Sequence, residues 1–225
     1  MLKYISKEKY NTLSLSLPAY GTKYKNKPLN FDTFPFFLQD ELKQFNLRPP
    51  YILVGHSLGG YISLEYSLSH KEDVEKLVLI STPLRNSNSK YPISWKILLN
   101  LGVKTKSLES VVQRLINSES SLVKLFINKV ISIDSSFLKR SDLKSVCLCC
   151  LDLGKRDWKK DVEKIDIPTL LVYGTEDKAI KGINGTELYK GFKNKEIISF
   201  PCNHSIPVHY PKTLAKKIVE FVEEN

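Results

Sequence analysis

The segment Gly55-His56-Ser57-Leu58-Gly59 sets a serine between two glycines. Residues 51–54, just before it, form an apolar run short enough for a buried strand. Residues 60–69, just after it, read as a helix. A G-x-S-x-G pattern between a strand and a helix is the setting in which a serine hydroxyl is offered as a nucleophile. The pattern alone also fits a chance glycine-serine turn, so the flanking strand and helix decide for the nucleophile. A strand that turns straight into a helix brings backbone against backbone, and side chains at Gly55 and Gly59 are expected to collide there. Ser57 Oγ would then stand at the carboxyl end of a sheet and at a helix start, where free N–H groups and partial positive charge gather. The N–H of Leu58 is the expected donor to an oxyanion.

A serine hydroxyl is a poor nucleophile at neutral pH and needs a base. His204 is the candidate, with Asp177 to fix its tautomer and stabilise the imidazolium. Taken singly, Asp177 would pass for a helix cap or turn residue beside Glu176, and His204 for a surface loop histidine. Taken together, Ser57, Asp177 and His204 each follow a predicted strand, in the chain order expected of a nucleophile-elbow hydrolase. Loops at the carboxyl ends of parallel strands converge on one crevice, so distant residues can meet there. Among the other histidines, His56 lies inside the turn and is expected to point away from Ser57. His70 follows a helix at its far end. His209 is the one competitor as base.

The elements that must position these residues alternate. Residues 1–10 read as the end of a helix, and residues 11–17 alternate strictly as a strand. Asp32 can cap a helix running to about Asn46, with Leu38, Leu42 and Phe45 on one face. Residues 51–54 and 76–81 are buried strands around a helix that carries Ile62, Leu64, Tyr66 and Leu68. Strands resume at residues 167–173 and 195–200, with helices at about 184–192 and 211–224. This rhythm predicts an α/β fold, a mostly parallel sheet with helices on both faces. Residues 84–164 break the rhythm with helical patterning and no evident strand, which predicts an inserted helical lid. The core is then residues 1–83 and 165–225. Trp95, Phe126, Phe137 and Trp158 could line a pocket, but aromatics at such spacing are more often helix-packing core.

Composition bounds the alternatives. The 225 residues suit one domain with an insertion, or two small ones. The net charge is +10, but the 34 Lys and Arg are spread through the chain and not clustered as in a nucleic-acid binder. No apolar run approaches the ~20 residues of a membrane span. The first residues carry charges throughout and no apolar core, so they do not read as a signal peptide, and a cytoplasmic location is expected. Cys147, Cys149 and Cys150 lack the paired spacing of a zinc site. With Cys202 they read as reduced, small apolar residues. No metal or other cofactor is expected.

On these motifs the chain resembles the α/β-hydrolases of the serine esterase-lipase type. Residues 17–21, Leu-Pro-Ala-Tyr-Gly, are similar to the family's D-x-P-G-x-G loop, and residues 55–60 match its elbow closely. Residues 78–83 resemble the strand ahead of the lid. Residues 168–177 match the P-x-L-x-x-x-G-x-x-D acid segment. Residues 203–211 resemble the G-H-x-x-x-x-E-x-P end, with Asn203 and His209 where Gly and Glu usually stand. Serine at position 57, and not aspartate, argues against haloalkane dehalogenase and epoxide hydrolase chemistry.

The family's earlier strand and H-G loop, which supply a second oxyanion donor, have no counterpart ahead of Ser57. The expectation is an N-terminally truncated hydrolase fold whose uncovered sheet edge invites self-association. The resemblance implies a serine hydrolase acting on a small ester or related acyl compound through an acyl-enzyme. The alternative is a non-catalytic binding protein on the same fold, with an incomplete oxyanion hole.

Overall fold

The computed structural model describes residues 1–5, 10–17, 31–84, 114, 152–153, 156–181 and 185–224. Its strands are β1 (Tyr51–His56), β2 (Val74–Ile80), β3 (Thr169–Gly174) and β4 (Lys195–Phe200). Its helices are α1 (Leu2–Ile5), α2 (Phe34–Gln44), α3 (Leu58–Ser69), α4 (Lys159–Val162), α5 (Lys178–Lys181), α6 (Gly185–Tyr189), α7 (Ile206–His209) and α8 (Pro211–Glu223). The four strands make one parallel sheet in the order β1-β2-β3-β4. Parallel neighbours cannot be joined by hairpins, so helical crossovers separate them in sequence.

The chain divides into two compact units. One comprises residues 1–15, 34–86 and 157–225, the other residues 16–33 and 87–156. The sheet and every predicted site residue belong to the first. The predicted lid falls mostly on residues outside the described set, as do Trp95, Phe126, Phe137 and the cysteines at 147, 149 and 150. Trp158 belongs to the first unit and is fully buried, its ring 5.2 Å from that of Tyr61. It is core.

Side chains of a strand alternate between faces. On one face Val78, Ile80, Leu170 and Val172 pack with Leu214, Ile218 and Phe221 of α8 and Ile5 of α1. Leu77 and Leu79 alternate to the other face, and α3 packs on β1 and β2. Helix α3 is buried from Gly60 to Ser67. Such a helix must satisfy its polar side chains internally, and the Ser67 hydroxyl donates to the Ser63 carbonyl at 2.8 Å. Cys202 is a buried free thiol whose pKa is pushed up by burial.

Three expectations need correction. Residues 11–17 are exposed or half-buried and carry no strand. A period of two supports a strand only where a neighbour offers a ladder, and here none does among the described residues. Helix α2 stops at Gln44, and Asn46 takes a left-handed φ of 52° that turns the chain away. Phe45 therefore leaves the face of Leu38 and Leu42 and is 49% exposed. Asp32 sits in a 3-10 turn before α2 and not at its first turn.

The register decides where the catalytic candidates stand. His56 lies opposite Ile80, Ile80 opposite Val172, and Val172 opposite Ile198. The carboxyl ends of all four strands thus share one rim, and the loops that leave them are neighbours.

Candidate active site

One residue separates β1 from α3, and it is Ser57. Its φ of 53° and ψ of −114° are costly for any side chain. Backbone hydrogen bonds hold it there: Ser57 N–H donates to Ile80 O at 2.9 Å, and the Gly60 and Tyr61 N–H groups donate to Ser57 O at 3.0 and 3.4 Å. Leu58 opens the helix, so its N–H has no intrahelical acceptor.

The glycines beside the serine differ in role from the expectation. A Cβ on Gly55 would stand 2.4 Å from the Gly59 carbonyl oxygen and 2.5 Å from Gly60 Cα. A Cβ on Gly60 would stand 1.8 Å from Thr82 Oγ1. A Cβ on Gly59 would meet nothing within 4 Å among the described residues. The tight pair is Gly55 and Gly60, because the helix start turns Gly60 and not Gly59 toward the segment after β2.

The loops after β3 and β4 are stitched together by backbone. Thr175 N–H donates to Phe200 O at 2.9 Å and Glu176 N–H to Cys202 O at 3.0 Å. Asp177 emerges from that turn almost wholly buried, at 1% exposure. Its Oδ2 accepts His204 Nδ1–H at 2.8 Å, while Oδ1 accepts the Ile180 N–H at 3.3 Å. Asp177 is therefore both a helix cap for α5 and the partner of the imidazole. A buried carboxylate on Nδ1 fixes the neutral ring as the Nδ1–H tautomer, leaving Nε2 as its basic nitrogen. Asn203 shapes the base loop, its Oδ1 accepting the Ser205 N–H at 3.0 Å.

His56 and His204 also meet. His56 Nε2 lies 2.9 Å from the His204 carbonyl oxygen, and the two rings stand 5.2 Å apart. Burial pushes the His56 pKa below the ordinary histidine value, against a smaller upward effect of that backbone hydrogen bond. The remaining histidines are elsewhere. His209 is exposed on α7, and His70 stacks on Tyr66 at the opposite end of α3 from Ser57. The structure thus joins His204 to Asp177 directly and sets Ser57 at the elbow next to His56. No hydrogen bond joins the Ser57 hydroxyl to His204.

Sequence reasoning passed over Gly174. A Cβ there would stand 2.3 Å from the Cys202 carbonyl oxygen and 2.5 Å from that of Asn203. The base loop rests on bare backbone at the end of β3. The glycine of the acid segment was visible in the sequence, but not what lies above it. Tyr189 and Tyr61 were likewise unmarked, and their hydroxyls donate to the Thr82 and Pro83 carbonyls that follow β2.

Comparison with known proteins bears on the family and the fold. The chain is similar to the hydrolase YugF of Bacillus subtilis, 23% identical over 96% of this chain and 82% of that one. It is similar to a pimeloyl-[acyl-carrier protein] methyl ester esterase of Wigglesworthia glossinidia brevipalpis, 25% identical over 93% of this chain and 82% of that one. Among solved structures it is similar to an esterase of Exiguobacterium antarcticum, with a TM-score of 0.67 at 16% identity over 92% of this chain and 79% of that one. That likeness speaks to the fold, a parallel sheet flanked by helices. Residues 31–204, which include Ser57, Asp177 and His204, match the family described as serine aminopeptidase, S33. The chain belongs to this S33 family of α/β-hydrolases.

Proposed function

We propose that the chain is a serine hydrolase that cleaves a small carboxylic ester, or a related acyl compound, through an acyl-enzyme. Ser57 Oγ attacks the acyl carbon as its proton passes to His204 Nε2. Asp177 holds the ring by Nδ1 and stabilises the imidazolium. The Leu58 N–H donates to the oxyanion of the tetrahedral intermediate. Collapse expels the alcohol, which takes the proton from His204. Water, activated by the same nitrogen, then frees the acid and restores Ser57. No cofactor enters this cycle.

The observation that carries the reading is the contact at 2.8 Å between buried Asp177 and half-buried His204, on the rim where Ser57 holds a strained φ of 53°. Strain of that kind persists only where the surroundings enforce it, and it gathers at working sites. The Wigglesworthia relative's name adds ester cleavage among similar chains.

The test is turnover of p-nitrophenyl butyrate together with labelling by a fluorophosphonate probe. Ser57→Ala is expected to abolish both, with a loss on the order of 10⁶-fold in kcat. Labelling that persists in Ser57→Ala would defeat the assignment. A folded wild-type chain that retains ligands but is never labelled would favour a non-catalytic binding role.

A further inference from the structure

We infer that His56 is a positioning residue that ties the nucleophile elbow to the loop bearing the base. The inference rests on the hydrolase reading above and adds a residue to it. His56 is the last residue of β1 and immediately precedes Ser57. Its side chain reaches across the rim to His204, 148 residues away in sequence, with Nε2 at 2.9 Å from the carbonyl oxygen.

The chemistry of that contact fixes the ring. A carbonyl oxygen only accepts, so His56 Nε2 must carry a proton. Burial holds the ring neutral by lowering its pKa, so Nδ1 carries none. Among the described residues, the titratable groups acting on this ring are His204 and Asp177. A neutral ring does not repel the imidazolium that forms on His204 during turnover.

His204 is then anchored twice. Its backbone carbonyl takes the hydrogen bond from His56, and its Nδ1–H goes to Asp177 at 2.8 Å. With carbonyl and Nδ1 both engaged, Nε2 is left as the ring nitrogen for proton transfer. The same short element that places the nucleophile therefore also sets the base.

Two variants separate this role from simple packing. His56→Gln keeps an N–H donor that can reach the carbonyl, whereas His56→Leu fills similar space without one. On p-nitrophenyl butyrate, His56→Leu is expected to lose roughly 10- to 100-fold in kcat, the scale of a misplaced catalytic group, with KM little changed. His56→Gln is expected to recover most of that loss.

A second readout needs no substrate. In the wild-type protein, nitrogen-15 NMR of the histidine rings is expected to show His56 as the Nε2–H tautomer at neutral pH. The downfield proton of the His204–Asp177 hydrogen bond is expected in the wild type and in His56→Gln, and to broaden or vanish in His56→Leu. An Nδ1–H tautomer at His56, or an unchanged downfield proton in a folded His56→Leu, overturns the inference. Should His56→Leu fail to fold, the wild-type tautomer and His56→Gln still decide it. If the wild-type chain turns over no ester, the hydrolase reading fails, and the NMR measurements judge the His56 anchor by themselves.

Discussion

Replacing Gly174 by alanine tests whether bare backbone at the end of β3 sets the position of the base. The added Cβ would lie 2.3 Å from Cys202 O and 2.5 Å from Asn203 O, whereas ordinary contact begins at 3.4 Å. About 1 Å of movement must therefore be absorbed, given that interiors are close-packed and leave little room. Both obstructing atoms are backbone, and Cys202 O is also held by the Glu176 N–H at 3.0 Å. No flexible side chain can swing aside. Overpacking of this kind costs about 1–3 kcal/mol. For a chain of this size that corresponds to a fall in Tm of roughly 2–12 °C. His204 directly follows Asn203, so the same movement displaces the imidazole, and a 1 Å misplacement is worth about 10²-fold in kcat.

The control is Gly59→Ala, where the new Cβ meets nothing within 4 Å among the described residues. Gly59 is the second residue of α3, so the mid-helix penalty of glycine, about 0.5–1 kcal/mol, is an upper bound on what this variant is expected to gain. Melting followed by circular dichroism and turnover of p-nitrophenyl butyrate read both changes. A Gly174→Ala protein that melts and turns over like the wild type would refute the steric argument. So would a Gly59→Ala protein as damaged as Gly174→Ala.

Asp177→Asn keeps the shape of the acid but lets the amide favour the wrong imidazole tautomer. It is expected to lower kcat by about 10⁴-fold with the fold retained, and a kcat within roughly tenfold of the wild type would remove Asp177 from the mechanism. Lys76 on β2 donates to Phe221 O at 2.9 Å and Val222 O at 3.1 Å, and also to Glu224 O, so its ammonium closes the carboxyl end of α8. Lys76→Met is expected to cost about 1–2 kcal/mol, seen as a lower urea midpoint with an unchanged m-value. An unchanged midpoint would mean that solvent satisfies those carbonyls equally well.

The sequence alone carried the α/β rhythm, because strand-length runs at residues 51–54, 76–81, 167–173 and 195–200 alternate with helical segments, although the last of them forms a mostly exposed strand. It also nominated Ser57, Asp177 and His204 as candidates, since the chemistry restricts residue types and the strand ends restrict their places, and of these the structure joins Asp177 to His204. Local pattern misled where the outcome hung on a partner. Residues 11–17 alternate like a strand but have no ladder among the described residues, and Phe45 keeps helical spacing beyond the point where Asn46 turns the chain. Tertiary structure alone decided which glycines are sterically required, and that His56 faces the His204 carbonyl at 2.9 Å. Those outcomes depend on which backbone from a distant part of the chain arrives within a few ångströms. Periodicity reports what a residue's own neighbours are, and it carries no information about what arrives from far along the chain.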